Sequence, residues 1–221
     1  MDQGKGKAMQ IAIIGTGHVG AALARGLADK GLGLTLGARD PGADPVKALA
    51  AATGADRALP ARAAAGADVI FLALPWQAAE PALRDLGDLR GKIVVDCMNP
   101  LVRGPQGIGL AIGHTTSGGE MVQRWLPGAR VVKTLNQVGA EVMDDTSRLP
   151  HPPVMFMAGD DPAAKEVVAR LLAALGFDPL DAGDLTKARL LEPFGLVWIN
   201  QALMRGKGRD WAFAAIAATP R

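Results

Sequence analysis

No residue of this 221-residue chain is tyrosine, cysteine occurs once (Cys97), and aromatic residues make up only 4%. Each scarcity excludes something. Without tyrosine, any mechanism that pairs a tyrosine hydroxyl with a lysine is closed. One cysteine permits neither an internal disulfide nor a multi-cysteine metal site, and it suits a reducing compartment. Three isolated histidines, His18, His114 and His151, give no metal-ligating spacing. Long apolar runs are missing too. The longest, such as Val69-Ile70-Phe71-Leu72-Ala73-Leu74, are strand-sized against the roughly 18 residues of a membrane span. The polar start, Met1-Asp2-Gln3-Gly4-Lys5-Gly6-Lys7-Ala8, lacks the apolar stretch of a signal peptide. Charge is nearly balanced at a formal +2, and no lysine or arginine run forms a nucleic-acid patch. The expectation is a soluble, cytoplasmic protein whose partner is a small molecule, with neither membrane nor nucleic acid.

What is present has a rhythm. Short apolar runs alternate with longer, alanine-rich amphipathic segments, the pattern of βα units on a parallel sheet. Strands are expected near 10–14, 32–36, 69–74, 92–96, 130–134, 154–158 and 177–181, with a short one near 56–59. Their nearly continuous apolar character suits strands covered on both faces. Helices are expected near 18–30, 45–52, 61–65, 76–86, 117–125, 162–175 and 185–204. Ser117-Gly118-Gly119-Glu120 reads as a capping box, and Asp161-Pro162 places a capping aspartate before a proline suited to the first helical position. Residues 101–116, rich in glycine and polar side chains, read as a loop. The fold class is α/β: a Rossmann-type, doubly wound, mostly parallel sheet in one domain over 9–204. Its core covers 9–137, a small C-terminal α/β extension covers 151–204, and flexible tails are expected at 1–8 and 205–221. The second tail either covers a neighbouring subunit or packs loosely. Trp198, Trp211 and Phe213 make a homodimer the expected assembly.

The chemistry-bearing motif is Gly15-Thr16-Gly17-His18-Val19-Gly20. It follows the apolar run Gln10-Ile11-Ala12-Ile13-Ile14 and opens an amphipathic helix, the context a dinucleotide-binding loop requires. Gly15 permits the tight turn, Gly17 lets the backbone approach a pyrophosphate, and Gly20 lets helix and strand pack closely. The phosphates then meet the positive end of the helix. At the end of the second strand, NAD-binding chains usually place an acid for the ribose hydroxyls. Here Leu34-Thr35-Leu36-Gly37-Ala38-Arg39 has none. Arg39 suits a 2′-phosphate through its planar fork, which favours NADP(H), although Asp40 competes as its partner. Two further strand ends carry Ala73-Leu74-Pro75-Trp76 and Met98-Asn99-Pro100, flanking the first strand where ligands bind in open α/β sheets. Asn99 has an amide to offer the nicotinamide ribose or ring, while Pro75 and Pro100 equally well stop their strands. His18 either faces the cofactor or stays exposed at a helix start. His114 touches substrate or lies in a plain loop. Lys133 attracts an acidic cofactor tail or makes a surface ion pair. Cys97 reads as core.

The Tyr/Lys requirement sets aside short-chain dehydrogenases. The 6-phosphogluconate and β-hydroxyacid dehydrogenases need a large helical second domain, and only about 40 residues follow position 181. The chain resembles instead the NADPH-dependent reductase family of the deazaflavin coenzyme F-420, with the cytosolic domain of six-transmembrane metalloreductases as a structural relative. The resemblance runs over about 9–204 and rests on the order and spacing of several segments. These are Ala12-Ile13-Ile14-Gly15-Thr16-Gly17, Gly37-Ala38-Arg39, Leu74-Pro75-Trp76, Gly91-Lys92-Ile93-Val94-Val95-Asp96, Arg130-Val131-Val132-Lys133-Thr134-Leu135-Asn136, Ala158-Gly159-Asp160-Asp161 and Pro179-Leu180-Asp181-Ala182-Gly183. It implies that Thr16, His18 and Val19 contact the pyrophosphate and nicotinamide side. Ala38 and Arg39 would frame the 2′-phosphate, Leu74 and Pro75 would line the ribose, and Leu135-Asn136 would border the second substrate. Ala38 stands where family members often carry serine or threonine. Asn136 matches the metalloreductase relatives, where deazaflavin reductases tend to have histidine. The implied activity is hydride transfer between NADPH and a flavin-like acceptor, deazaflavin F-420 or flavin, and it needs no metal and no acid–base pair. Alternatives are reduction of another acceptor (flavin, quinone, imine or ferric chelate) and non-catalytic NADP(H) sensing.

Overall fold

The computed structural model describes residues 8–218; apart from Ala8, the N-terminal tail expected over 1–8 lies outside them. Six strands and helices alternate first: β1 (Gln10–Ile14), α1 (His18–Leu27), β2 (Gly33–Gly37), α2 (Asp44–Thr53), β3 (Asp56–Ala58) and α3 (Pro60–Gly66). There follow β4 (Val69–Leu72), α4 (Ala79–Arg84), β5 (Ile93–Asp96), β6 (Leu101–Gly104), β7 (Gly107–Leu110) and α5 (Gly118–Trp125). The chain continues through β8 (Arg130–Lys133), α6 (Ala140–Asp144), β9 (Val154–Gly159), α7 (Pro162–Ala174), β10 (Asp178–Asp181) and α8 (Ala188–Ile199).

Eight strands form one sheet in the order β10-β9-β8-β5-β4-β1-β2-β3. The chain grows outward from β1 to β3 on one side, then returns to place β4 on the other flank of β1. That reversal opens a crevice at the carboxyl ends of β1 and β4. All neighbours are parallel except β8 and β9, which pair antiparallel. Because side chains alternate across a strand, each strand feeds two cores. Ile11, Ile13, Phe71 and Val95 pack with Leu23, Val46, Val142 and Leu171 of the helices on one face. Ala12, Ile14, Ile70, Leu72 and Val94 pack with Ala64, Leu83 and Val122 on the other. The doubly wound, mostly parallel reading is therefore what the sheet shows.

Several local expectations change. The stretch 101–116 is not a plain loop: β6 and β7 form an antiparallel hairpin that turns at Pro105 and Gln106. Proline presets the backbone for a first turn position, which makes the glycine-rich run a hairpin. Its far end returns to its start, with the Ala111 amide donating to Pro100 O at 2.7 Å. The helix expected over 185–204 is divided. A 3-10 turn (Leu185–Lys187), held by Asp184 Oδ1 accepting from the Thr186 amide at 2.9 Å, leads into α8. A π-helical turn (Asn200–Met204) ends it. Similarly, 76–86 begins as a 3-10 turn (Trp76–Ala78) before α4. Helix α6 has only five residues, too few to show a helical period, and it docks on α1 through an Arg25–Asp144 ion pair of 2.9 Å.

Residues 205–218 run along the domain. The Trp198 and Trp211 rings stack at 5.7 Å, and Trp198 Nε1 donates to Trp211 O at 2.9 Å. Phe213 O accepts from the Val154 amide at 2.9 Å, and Arg209 pairs with Glu141 of α6 at 2.8 Å. With Leu101 and Ile108 of the hairpin, Trp211 and Phe213 cover Trp198, Ile199 and Ala202. Replacement of half-buried Trp211 by alanine is expected to cost about 2 kcal/mol, seen as a lower urea midpoint with an unchanged slope. An unchanged midpoint would show that this segment contributes nothing to folding.

Candidate functional site

The sheet register brings the candidate residues to one level. Ile14 is opposite both Gly37 and Leu72, Leu72 is opposite Asp96, and Asp96 is opposite Lys133. The residues that follow, at Gly15, Ala38, Ala73, Cys97 and Thr134, therefore form one row along the carboxyl edge. Gly15 takes φ +102°, and a Cβ there would lie 2.4 Å from Ala73 O. A Cβ on Gly20 would lie 1.8 Å from Gly15 O, so both glycines are demanded by the fold itself. Gly17 differs. It precedes α1 in extended conformation, and a Cβ would meet nothing within 4 Å. The space above it is open, and no acidic residue occupies the first turn of α1. An anion therefore meets unpartnered amides at this helix start.

Ala38 is buried and donates its amide to Ala58 O at 3.0 Å. Arg39, next along, is exposed, and among the described residues it has no ion pair or side-chain hydrogen bond. Asp40 is occupied elsewhere, accepting from the Gly42 amide at 2.8 Å. Ala73 donates to Ile14 O at 2.9 Å, Leu74 is half-buried beside Gly15, and Pro75 is exposed. Thr16 and Val19 are half-buried, while His18 is exposed at the head of α1. Thr16, Gly17 and His18 border a cavity of about 410 Å³ whose other wall is Ala140, Glu141 and Asp144 of α6.

The opposite end of the row is built on charge. Lys133, Asp96 and Glu192 are 0%, 0% and 1% exposed. Lys133 Nζ donates to Asp96 Oδ2 at 2.9 Å, to the Met98 carbonyl, and lies 3.2 Å from Glu192 Oε1. Asp96 Oδ1 accepts from the Met98 amide at 2.9 Å, so both polar groups of the Met98 backbone are clamped. Glu192 accepts from the Gly118 and Gly119 amides at 2.9 and 3.0 Å, completing the start of α5. Lys133 is thus neither a surface ion pair nor a free attractor for a cofactor tail. The register sets it beside Asp96, and α8 covers both. Burial pulls its ammonium down, but the Asp96 and Glu192 carboxylates outweigh that and hold its pKa above the usual lysine value.

The capping box forms in part. The Glu120 amide donates to Ser117 Oγ at 3.2 Å, but Glu120's carboxylate accepts from Ser117 Oγ and from Arg189 at 2.6 Å. The Arg189 bond, aided by Ser117, holds Glu120 below the usual carboxylate range despite burial. Cys97 is buried; burial and then the Asp96 charge push its thiol far up, so it stays protonated.

Asn99 and Asn136 clasp each other. Asn99 Nδ2 donates to Asn136 O at 2.8 Å, and Asn136 Nδ2 donates to Asn99 Oδ1 at 3.0 Å and to Leu191 O at 2.9 Å. Asn136 Oδ1 accepts from Gln137, which also bonds Phe156 O and the Phe156 amide. Leu135 is fully buried at φ +58°, a bend that turns Asn136 away from β8. These two residues, expected at the acceptor's border, therefore lie beneath the surface. Met98 and Pro100 are buried and Asn99 half-buried. Beyond Pro100, a cavity of about 780 Å³ is lined by Leu110, Ile112, His114, Lys187, Arg189 and Leu190, among others. Sequence reasoning missed Asp96 and Glu192. A charge ending each of two apolar runs, Asp96 and Lys133, was a usable signal; Glu192 carried none. Among the described residues no cluster suits a metal ion, and no helix is long and apolar enough to cross a membrane.

A family model described as NADP oxidoreductase, coenzyme F420-dependent, matches residues 10–100. The metalloreductase STEAP3 of Rattus norvegicus is 31% identical over 193 residues, 86% of this chain and 37% of that protein. The F420-dependent NADP reductase of Methanocaldococcus jannaschii is 33% identical over 134 residues, 59% of this chain and 60% of that one. The chain thus spans 37% and 60% of the lengths of these two curated relatives. A solved structure from Arthrobacter sp. FB24, named there as a candidate F420-dependent NADP reductase, superposes with a TM-score of 0.86 at 38% identity, covering 95% of this chain and 100% of that one.

Replacing Lys133 by methionine leaves two buried carboxylates without their cation and is expected to cost about 3–5 kcal/mol in urea unfolding. The triple change Asp96→Asn, Lys133→Met, Glu192→Gln should recover much of that loss. Because Lys133's pKa is raised, its contribution is complete at neutral pH and disappears as pH climbs above the ordinary lysine value through its higher folded one. Wild-type stability should therefore fall on that alkaline limb more steeply than that of the triple variant. Equal limbs would contradict the network's role.

Proposed function

This chain belongs to the coenzyme F420-dependent NADP oxidoreductase family, and we propose that it transfers a hydride between NADPH and a flavin-like acceptor, with deazaflavin F420 as the first candidate. The observation that carries the cofactor reading is the pairing of an open phosphate loop with an unengaged Arg39 at the same sheet edge. NADPH, when bound, supplies the hydride. Gly15 to Gly20 would take the pyrophosphate on the first amides of α1, and the space over Gly17 admits it without displacing a side chain. Ala38 and Arg39 would take the 2′-phosphate, Arg39 through a bidentate, charge-assisted contact. Ala73, Leu74 and Pro75 would line the ribose, and Met98, Asn99 and Pro100 would border the nicotinamide. The clamp on Met98 serves that task by fixing a loop whose position sets the ring. Transfer then asks mainly for two rings held about 3–3.5 Å apart with water excluded.

The cavity beyond Pro100 supports a sizeable acceptor, since its walls combine Leu110, Ile112 and Leu190 with His114, Lys187 and Arg189. An apolar groove with cationic groups suits a planar ring carrying an anionic tail. Leu135 and Asn136 would shape that site from beneath. A second reading, reduction of a ferric chelate through flavin, is favoured by the 86% span of this chain in the metalloreductase match.

Titration with NADPH and NADH, followed by mixing with deazaflavin, free flavin and ferric chelate, tests both readings. Tight NADPH binding that weakens about tenfold or more in Arg39→Ala, with deazaflavin reduced, is the expected result. Turnover of ferric chelate in place of deazaflavin would move the assignment to the second reading. Equal affinity for NADPH and NADH would overturn the cofactor reading.

A further inference from the structure

The loop that presents Arg39 is held from the neighbouring strand at two points. Ala38, just before it, donates to Ala58 O of β3 at 3.0 Å. Pro41, just after it, accepts from Arg57 Nη1 of β3 at 2.7 Å. The Asp40 carboxylate closes the turn on the Gly42 amide at 2.8 Å, and the Ala43 amide bonds Asp40 O at 3.3 Å. Arg57 is exposed and, like Arg39, is in no ion pair among the described residues. A guanidinium has five N–H donors, and among the described residues this one makes a single hydrogen bond, to Pro41 O. Two cations thus serve one short turn, and the only acid within it, Asp40, is committed to a backbone amide. The bond to Pro41 therefore leaves most of the Arg57 donors, and its charge, available beside the Arg39 turn.

We propose that Arg57 is a specificity-determining positioning residue, which fixes the Arg39 turn through Pro41 and adds positive charge where the 2′-phosphate of NADPH would bind. This rests on the NADPH reading above. The residue acts on the phosphate-bearing cofactor alone, because NADH places only a hydroxyl at that turn. A purely structural role would weaken both nucleotides together.

The test measures dissociation constants for NADPH and NADH with wild type, Arg57→Ala, Arg57→Lys and Arg39→Ala, at low and moderate salt. Arg57→Ala should raise the NADPH constant about five- to tenfold and the NADH constant less than about twofold, with a shallower salt dependence for NADPH. Arg57→Lys, which keeps charge and a donor, should regain most of the discrimination. Equal weakening of both nucleotides, or no change in their ratio while Arg39→Ala does change it, would overturn the role of Arg57 alone. If Arg39→Ala also leaves the ratio unchanged, the NADPH reading falls with it.

Discussion

Three charges removed from water hold the carboxyl edge of the sheet together. Lys133, Asp96 and Glu192 are enclosed where β5, β8, α5 and α8 meet, and removing such groups from water costs several kcal/mol each unless they satisfy one another. They do so while also bonding both backbone groups of Met98 and two amides at the start of α5. A merely apolar contact would fill the same space without fixing orientation. Here the direction of each hydrogen bond determines where the strand-end loop lies, and that loop borders the proposed nicotinamide position. The Asn99–Asn136 clasp extends the same logic to β9 through Gln137.

The other half of the edge works by emptiness. Gly15 and Gly20 are required by the close approach of strand, turn and helix, but Gly17 faces open space. Among the described residues Arg39 is unengaged, Asp40 is satisfied locally, and β3 steadies the turn on both sides. Preorganised amides lose little on meeting phosphate, because the fold has already determined their orientation; at Arg39 it is the backbone turn, not the side chain, that is held. Rigid support at the proposed nicotinamide end and open amides at the proposed phosphate end would divide one ligand's needs between two kinds of construction.

Much of the fold was legible because its signals are local. The apolar runs at 10–14, 69–74 and 92–96, the glycine loop and Asp161-Pro162 each carry their meaning within a few residues. The hairpin at 101–110 was not, since glycine-rich strands lack the apolar alternation that marks a half-buried strand. Helix α6 was too short to show a period, and the antiparallel entry of β9 has no mark in its own sequence. The segment after 204 carried aromatic residues whose partners, Trp198 and Phe194, lie in a different element.

The order of βα units, the glycine loop and the lack of an acid at the end of β2 could be read from the chain alone, because each follows from residues adjacent in it. Tertiary structure alone decided that Lys133 is buried rather than exposed, that Glu192 joins it from 59 residues away, and that Leu135 and Asn136 lie beneath the site. Burial and pairing depend on which elements cover a position and in what register. A charged side chain looks the same in the sequence whether water or a carboxylate surrounds it.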